Sequence, residues 1–330
     1  MRNWVKFGLP ACLALMLGLA TIPSVAAATL KIGYCDWPGW VAWQIAIDKG
    51  WLKEAGLDVE FDWFDYSASL DAFSAGKLDA TFATNGDALV IGSGGAKGVM
   101  VMVTDYSSGN DMIIGKPGLK SIADLKGKKV GVEVGLVDNL LLSSALRSVG
   151  LSDSDVTLVN TKTNDTPQVL ASGEVDAIGV WQPIAGIALR TVPGSKPIFT
   201  SEQAPGLIYD GLLVSPGSLS EHKAAWNKLI MLWDRVVRYI NDPVTQADAL
   251  KIMSARVGLT PDTYKPLLAG THLIDIASNK AVLVKGDGLA SLYGSTANAD
   301  AFNIRYEVYK VKQDIGGYID PSLVNVDNAR

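Results

Sequence analysis

Acidic and indole side chains gather where the strand-like segments of this chain end, and basic ones do not. Asp36, Trp37 and Trp40 follow a first short strand read at Leu30–Tyr34, and Asn85 and Asp87 follow another that ends at Thr84. Glu133 and Asp138, then Asn164 and Asp165, then Trp181 and Gln182 stand after three more, and Asp210 precedes the segment Gly211–Ser215. In open α/β sheets a ligand binds beyond the carboxyl ends of the strands, so these positions are the candidate pocket. Carboxylates around a small site repel an anion and suit a cation. A guanidinium fits best, because its planar fork of N–H groups matches a carboxylate in bidentate fashion. Indoles add a flat face for a cation, worth about 0.5–2 kcal/mol each. A neutral amide such as urea could use the same acceptors without the charge term.

From that set the expected ligand contacts are Asp36, Trp37, Trp40, Asn85, Glu133, Asp138, Trp181 and Asp210. Other roles compete at several of them. Asp87 and Asp165 stand where helices begin and suit capping, and Asp138 could equally cap its own helix. Asp210 could make a hinge salt bridge. Trp40 opens an apolar stripe that continues to Trp43, Ile47 and Trp51, so it is either core or pocket, while Trp43 and Trp51 read as core. Cys35 reads as a small packed residue. The two histidines, His222 and His272, lie apart without metal-ligand spacing, and no calcium-loop spacing is present.

The elements that must position these residues alternate in type. A helix is expected over the stripe from Trp40 to about Gly56, then a strand at Val59–Phe64 and a helix at Ser69–Ala75. Strands follow at Ala80–Thr84 and Val99–Val103. A second cycle opens after Lys116-Pro117-Gly118: a capped turn at Ser121–Leu125, a strand at Lys129–Val132 and a helix from about Asp138 to Val149. Strands at Val156–Val159 and Ala177–Val180 flank a helix opened by Thr166-Pro167, and the chain beyond Glu221 is mainly helical. Alternation of this kind predicts an α/β fold with a largely parallel sheet.

The chain has 330 residues and a net charge of −5, without a basic run, so neither nucleic acid nor an anionic lipid surface is an expected partner. Its first 28 residues read as a secretory signal: Arg2 and Lys6, an apolar run to about Ile22, then the small-residue end Ser24-Val25-Ala26-Ala27-Ala28. Cleavage is expected after Ala26, Ala27 or Ala28. A retained membrane helix is the alternative, though the run is short for a span. Leu9-Pro10-Ala11-Cys12 resembles a lipoprotein box with a poorly fitting Pro10. Past the leader only Cys35 remains, which excludes an intramolecular disulfide.

Two short motifs recur: Gly76-Lys77-Leu78-Asp79-Ala80 and Gly173-Glu174-Val175-Asp176-Ala177. With Asp124-Leu125-Lys126-Gly127-Lys128 following Met112–Ile114, their order resembles the solute receptors of ABC transporters, in the nitrate/taurine/sulfonate branch. Tyr34–Trp40, Thr84–Ala88 and Gly179–Pro183 further resemble the urea-carboxylase-related or guanidine-type subgroup. The resemblance spans the whole chain after the leader.

That resemblance implies a type II periplasmic binding protein fold: residues 29–114 and 212–330 forming lobe 1, residues 115–211 forming lobe 2, and two crossing segments as the hinge. It further implies a periplasmic, monomeric receptor without a cofactor, which closes on a small molecule and presents it to an ABC permease in the inner membrane. The expected ligand is guanidine or a similar small cation. Urea, another amide, or an aliphatic sulfonate, taurine or nitrate are the alternatives. An enzyme akin to thiamine-pyrimidine synthase shares the general fold, but such an enzyme should carry a cysteine-rich motif and an active-site histidine, and the candidate loops have neither.

Overall fold

The computed structural model describes Met1 and residues 29–325. Apart from Met1, the expected leader lies outside the described residues.

Two sheets divide the strands between them. The first contains β1 (Leu30–Tyr34), β2 (Val59–Trp63), β3 (Ala80–Thr84), β4 (Val99–Ser107), β10 (Tyr209–Val214) and β11 (Thr271–Leu273), in the order β11-β4-β10-β3-β1-β2. The second contains β5 (Asp111–Gly115), β6 (Lys129–Val132), β7 (Thr157–Asn160), β8 (Ala177–Trp181) and β9 (Lys196–Thr200), in the order β7-β6-β8-β5-β9. In each, a parallel trio (β2, β1 and β3; β7, β6 and β8) is extended by antiparallel strands at the crossings. Strands β3 and β8 are buried throughout, as central strands covered on both faces are.

The chain leaves the first sheet after Ser107 and joins the second at Asp111; it returns from Thr200 to Tyr209. The expected divisions, after 114 and before 212, therefore run through β5 and β10. Lys116-Pro117-Gly118 reads as punctuation in the sequence. The hydrogen-bond ladders instead carry Asp111–Gly115 into lobe 2 and Tyr209–Val214 into lobe 1.

Helices cover the sheets. In chain order they are α1 (Pro38–Val41), α2 (Trp43–Asp48), α3 (Trp51–Glu54), α4 (Tyr66–Ser74), α5 (Asn85–Ser93), α6 (Val137–Ser148), α7 (Thr166–Ser172) and α8 (Ile184–Thr191). After β10 come α9 (Pro216–Glu221), α10 (Lys223–Asn241), α11 (Gln246–Arg256), α12 (Pro261–Ala269), α13 (Ile276–Val282) and α14 (Leu292–Arg305). The single helix expected over Trp40–Gly56 is three short ones: the first two adjoin at Ala42, which keeps helical dihedrals, and the chain passes through the left-handed region at Gly50 (φ 69°) before the third. Trp43 is core as expected: its ring stacks on Trp233 of α10 with centroids 5.2 Å apart.

The repeated motif has the same structural job in both lobes. Gly76 and Gly173 adopt positive φ (69° and 89°) just past α4 and α7, where a left-handed residue ends a helix. Asp79 then accepts from the Lys31 N–H at 2.9 Å and Asp176 from the Lys129 N–H at 3.0 Å, each pinning the start of the neighbouring parallel strand. Among the described residues, no helix is long and apolar enough to cross a membrane.

Candidate functional site

The carboxyl ends of β1, β3 and β8 converge on a cavity between the two sheets. Lobe 1 contributes Trp37, Trp40, Tyr66 and Thr84; lobe 2 contributes Val137 and Trp181; the crossings contribute Asp111, Ile208 and Asp210. The cavity between these walls measures about 240 Å³, including its opening to solvent. Among the described residues, no Arg or Lys is in the lining.

The aromatic walls are held in place from behind. Trp37 donates its indole N–H to Asp105 Oδ1 at 2.8 Å. Trp40 stacks on Phe82 (centroids 6.0 Å, 25°) and tilts against Tyr66 (5.4 Å, 40°), so it is core and cavity wall at once. The Tyr66 hydroxyl donates to Asp87 Oδ2 at 2.7 Å and accepts from the Thr84 N–H at 3.1 Å. Its ring meets Trp181 edge to face across the two lobes, with centroids 5.5 Å apart. Among the described residues, the indole N–H groups of Trp40 and Trp181 have no full hydrogen-bond partner.

The electrostatics are unusual. Asp87, Asp105, Asp111, Asp138 and Asp210 are all buried, and burial pushes each carboxyl up: to about 7 for Asp87, Asp105 and Asp111, and well above the usual range for Asp138 and Asp210. After desolvation, the next causes at Asp138 and Asp210 are other carboxylates, Asp111 foremost for the first and Asp105 for the second. Among the described residues, four of these groups have one oxygen that no N–H or hydroxyl reaches, namely Asp105 Oδ2, Asp111 Oδ2, Asp138 Oδ1 and Asp210 Oδ2, although the Asp105 and Asp210 carboxyls share a proton-mediated hydrogen bond with each other. A buried acceptor left unpaired costs about 1–3 kcal/mol, more when charged. Among the described residues, no group of three or more His, Cys, Asp or Glu is arranged to hold a metal ion.

Of the residues expected from sequence, Trp37, Trp40, Trp181 and Asp210 line the cavity. Asp138 is buried near Asp111 and is touched by the Thr163 hydroxyl at 3.4 Å. Glu133 stands in an adjoining vestibule, where Thr163 donates to its Oε2 at 3.2 Å and burial raises its carboxyl. Asp36 is outside the lining; burial raises it to about 6, and the nearby Trp181 indole draws it partly back without forming a full hydrogen bond. Asn85 is outside it too. Its amide donates to Ser295 (3.0 Å) and Thr296 (3.2 Å) and accepts from the Tyr209 N–H (3.1 Å), tying α14 to the sheet. Thr84, rather than Asp87, caps α5, which leaves the Asp87 carboxylate for Tyr66.

Sequence reasoning passed over Tyr66, Asp105 and Asp111. Asp105 did leave a signal, an acid two residues beyond the apolar run Val99–Val103, in what is a single buried strand to Ser107. Tyr66 left none, since it precedes the segment that read as helix.

Residues 37–230 match the family described as NMT1/THI5 like, which is more than half of the chain. The chain belongs to the NMT1/THI5-like family. A protein of Brucella abortus (strain 2308) named as a binding protein is 35% identical over 187 residues, covering 55% of this chain and 58% of that one. The chain thus spans less than two thirds of the curated relatives it matches first. The crystal structure of the periplasmic aliphatic sulphonate binding protein SsuA from Escherichia coli superposes with a TM-score of 0.73 at 18% identity, covering 88% of this chain and 91% of that one. The desulfurization enzyme DSZB superposes at 0.62 and 16% identity, covering 90% and 97%. The NMT1/THI5-like chain therefore has the two-lobed α/β fold of periplasmic binding proteins. That fold also carries an enzyme, so the site has to decide the function.

Proposed function

We propose that this NMT1/THI5-like protein is the exported solute receptor of an ABC importer, closing its lobes on a small cationic nitrogen compound, guanidine first. Supporting this reading are the buried carboxylates around the cavity with unpartnered oxygens and no Lys or Arg in the lining. A guanidinium supplies both what they lack: a positive charge and five or six in-plane N–H donors. Trp37, Trp40 and Trp181 offer faces for the planar cation. Asp111 and Asp210 lie against the ligand, with Asp105 and Asp138 behind them.

Lobe closure supplies the mechanism. Trp181 and Val137 ride on lobe 2 and Trp37, Trp40 and Tyr66 on lobe 1, so the cavity is complete only when the lobes meet. The permease in the inner membrane then opens the closed form and takes the solute. Cysteine–histidine chemistry finds no support among the described residues. The Cys35 thiol is buried and held well above its ordinary pKa, chiefly by desolvation and next by Asp36, so it is not a thiolate, and no histidine lines the cavity.

Urea is the second reading, because the same acceptors serve a neutral diamide and the unpartnered indole N–H groups suit a carbonyl. A sulfonate, as named for SsuA, would meet buried carboxylates without a basic side chain to offset them.

Calorimetry and thermal shift on the protein freed of its leader test the reading with guanidinium, methylguanidinium, urea, taurine, a short alkanesulfonate and nitrate. A ligand at 100 times its Kd stabilises the fold by about 2.7 kcal/mol. Stabilisation by guanidinium, with the anions silent, is expected. Stabilisation by taurine or the sulfonate, with guanidinium silent, overturns the proposed ligand class and keeps the receptor role.

A further inference from the structure

Two cavities meet at one aromatic contact. The narrow cavity described above shares Tyr66 and Trp181 with a wider one of about 310 Å³, which Asp65, Ser67, Glu133, Lys162, Thr163, Asn164 and Asp165 complete. Asp65, Lys162, Asn164 and Asp165 are exposed, so this second space is a vestibule open to solvent at the mouth of the cleft. Among the described residues, Tyr66 and Trp181 line both spaces and stand between them.

The partition is rigid and it forms from both lobes. Tyr66 comes from α4 of lobe 1, and its hydroxyl is fixed by Asp87 and by the Thr84 N–H. Trp181 closes β8 of lobe 2, with its backbone in register with Asp111 of β5. The two rings meet at 88°, a favourable edge-to-face geometry, and both are buried. Opening the lobes parts them, and closing the lobes brings them together over whatever lies inside.

We propose that the Tyr66–Trp181 contact is the size filter of the binding site, shutting only over a guanidinium without a long substituent. This rests on reading the inner cavity as a cation site. A substituent on one nitrogen must pass between the rings into the vestibule, and there it would hold the lobes apart. A compact planar cation leaves the edge-to-face contact intact. Removing either ring merges the two spaces. A tail ending in an ammonium would then reach Asp65, Glu133 and Asp165 in the vestibule.

The test uses three ligands, namely guanidinium, methylguanidinium and a guanidinium carrying a four-carbon aminoalkyl tail, with the wild-type protein, Trp181→Ala and Tyr66→Ala. The wild type is expected to bind guanidinium at least tenfold tighter than the tailed compound. Either variant should narrow that ratio at least tenfold, in part by binding the tailed compound more tightly than the wild type does. Trp181→Leu and Tyr66→Leu are measured beside them, with circular dichroism and melting curves, so that a misfolded alanine variant does not decide the matter. Equal binding of both ligands by the wild type, or an unchanged ratio in the folded variants, overturns the filter. A wild type that binds no guanidinium overturns the cation site itself, and the filter with it.

Discussion

Asp105 and Asp210 face each other across β4 and β10 with their Cα atoms in register, and both carboxyl groups are buried. The two strands run antiparallel beside the crossings between the lobes, so the pair stands at the floor of the cleft. Asp105 raises Asp210's cost of ionisation, a hydrogen bond from the Asp210 carboxyl eases that of Asp105, and Asp111, just across the crossing, raises both. Like charges this close in an apolar setting hold protons that exposed carboxyls would lose. A cation in the cavity removes the reason for holding them.

Affinity for a cation should therefore depend on pH. In the free protein Asp87, Asp105 and Asp111 are raised to about 7 and Asp36 to about 6. Guanidinium favours the ionised forms, so its binding releases protons and strengthens as pH rises from 5 to 8. Urea carries no charge and should bind with little pH dependence. Calorimetry in two buffers of different ionisation heat counts the protons; a guanidinium complex that forms without releasing any would contradict this account.

Stability of the free protein has the opposite slope. These carboxyls have folded-state pKa values above the ordinary 3.8, so between about pH 4 and 7 the folded protein holds protons that the unfolded chain has lost. Stability then falls as pH rises through that window, by up to about 1.4 kcal/mol per pH unit for each such group. Denaturant melts of the ligand-free protein at pH 5 and pH 8 should show the lower midpoint at pH 8. Saturating guanidinium should close most of that gap.

Asp210→Asn separates binding from stability at one atom. The amide keeps the shape and removes a carboxyl whose ionisation desolvation and Asp105 hold back, so the ligand-free variant should be at least as stable as wild type at pH 8. The same change should weaken guanidinium by about 2–5 kcal/mol, the cost of unpairing a desolvated charge. A variant that loses stability and keeps its affinity would place Asp210 in a structural role.

Gly39 supports the same pair from below. A Cβ on it would stand 1.9 Å from Asp105 Oδ2, although its backbone does not need glycine's positive φ. Gly39→Ala should therefore destabilise the protein by about 1–3 kcal/mol through overpacking, and displace Asp105 from the Trp37 indole. Combining it with Asp105→Ala should cost less than the sum of the two single changes. Additive losses in that cycle would mean that the contact at Gly39 is relieved elsewhere.

What the sequence discloses here follows the range of each interaction. The alternation of elements, the strand-end loops and the paired Gly-x-x-Asp-Ala motifs are local patterns, and from them Trp37, Trp40, Trp181 and Asp210 could be placed at one cleft. Asp105 became a site residue only through its register with Asp210, more than a hundred positions away, and no local pattern carries a strand register. Asn85 misled for the converse reason: a polar residue at a strand end has the look of a ligand contact, and its partners Ser295 and Thr296 come from the far end of the chain.

Closure itself has a visible fastening. Asn164 Nδ2 of lobe 2 donates to Asp65 Oδ1 of lobe 1 at 2.6 Å across the vestibule, and both residues are exposed. This bond exists only when the lobes are shut, so it stabilises the closed form without touching the ligand. Water competes for both partners, which keeps the net gain near the usual 0.5–1.5 kcal/mol of one hydrogen bond. Asn164→Ala should then weaken the ligand by about two- to tenfold, with the change in the rate of release rather than of capture, and leave the melting temperature of the ligand-free open form unmoved. Stopped-flow release of guanidinium reads this directly. An unchanged release rate would mean that the lobes are held shut by other contacts, such as the aromatic pair and Ser67 with Glu133.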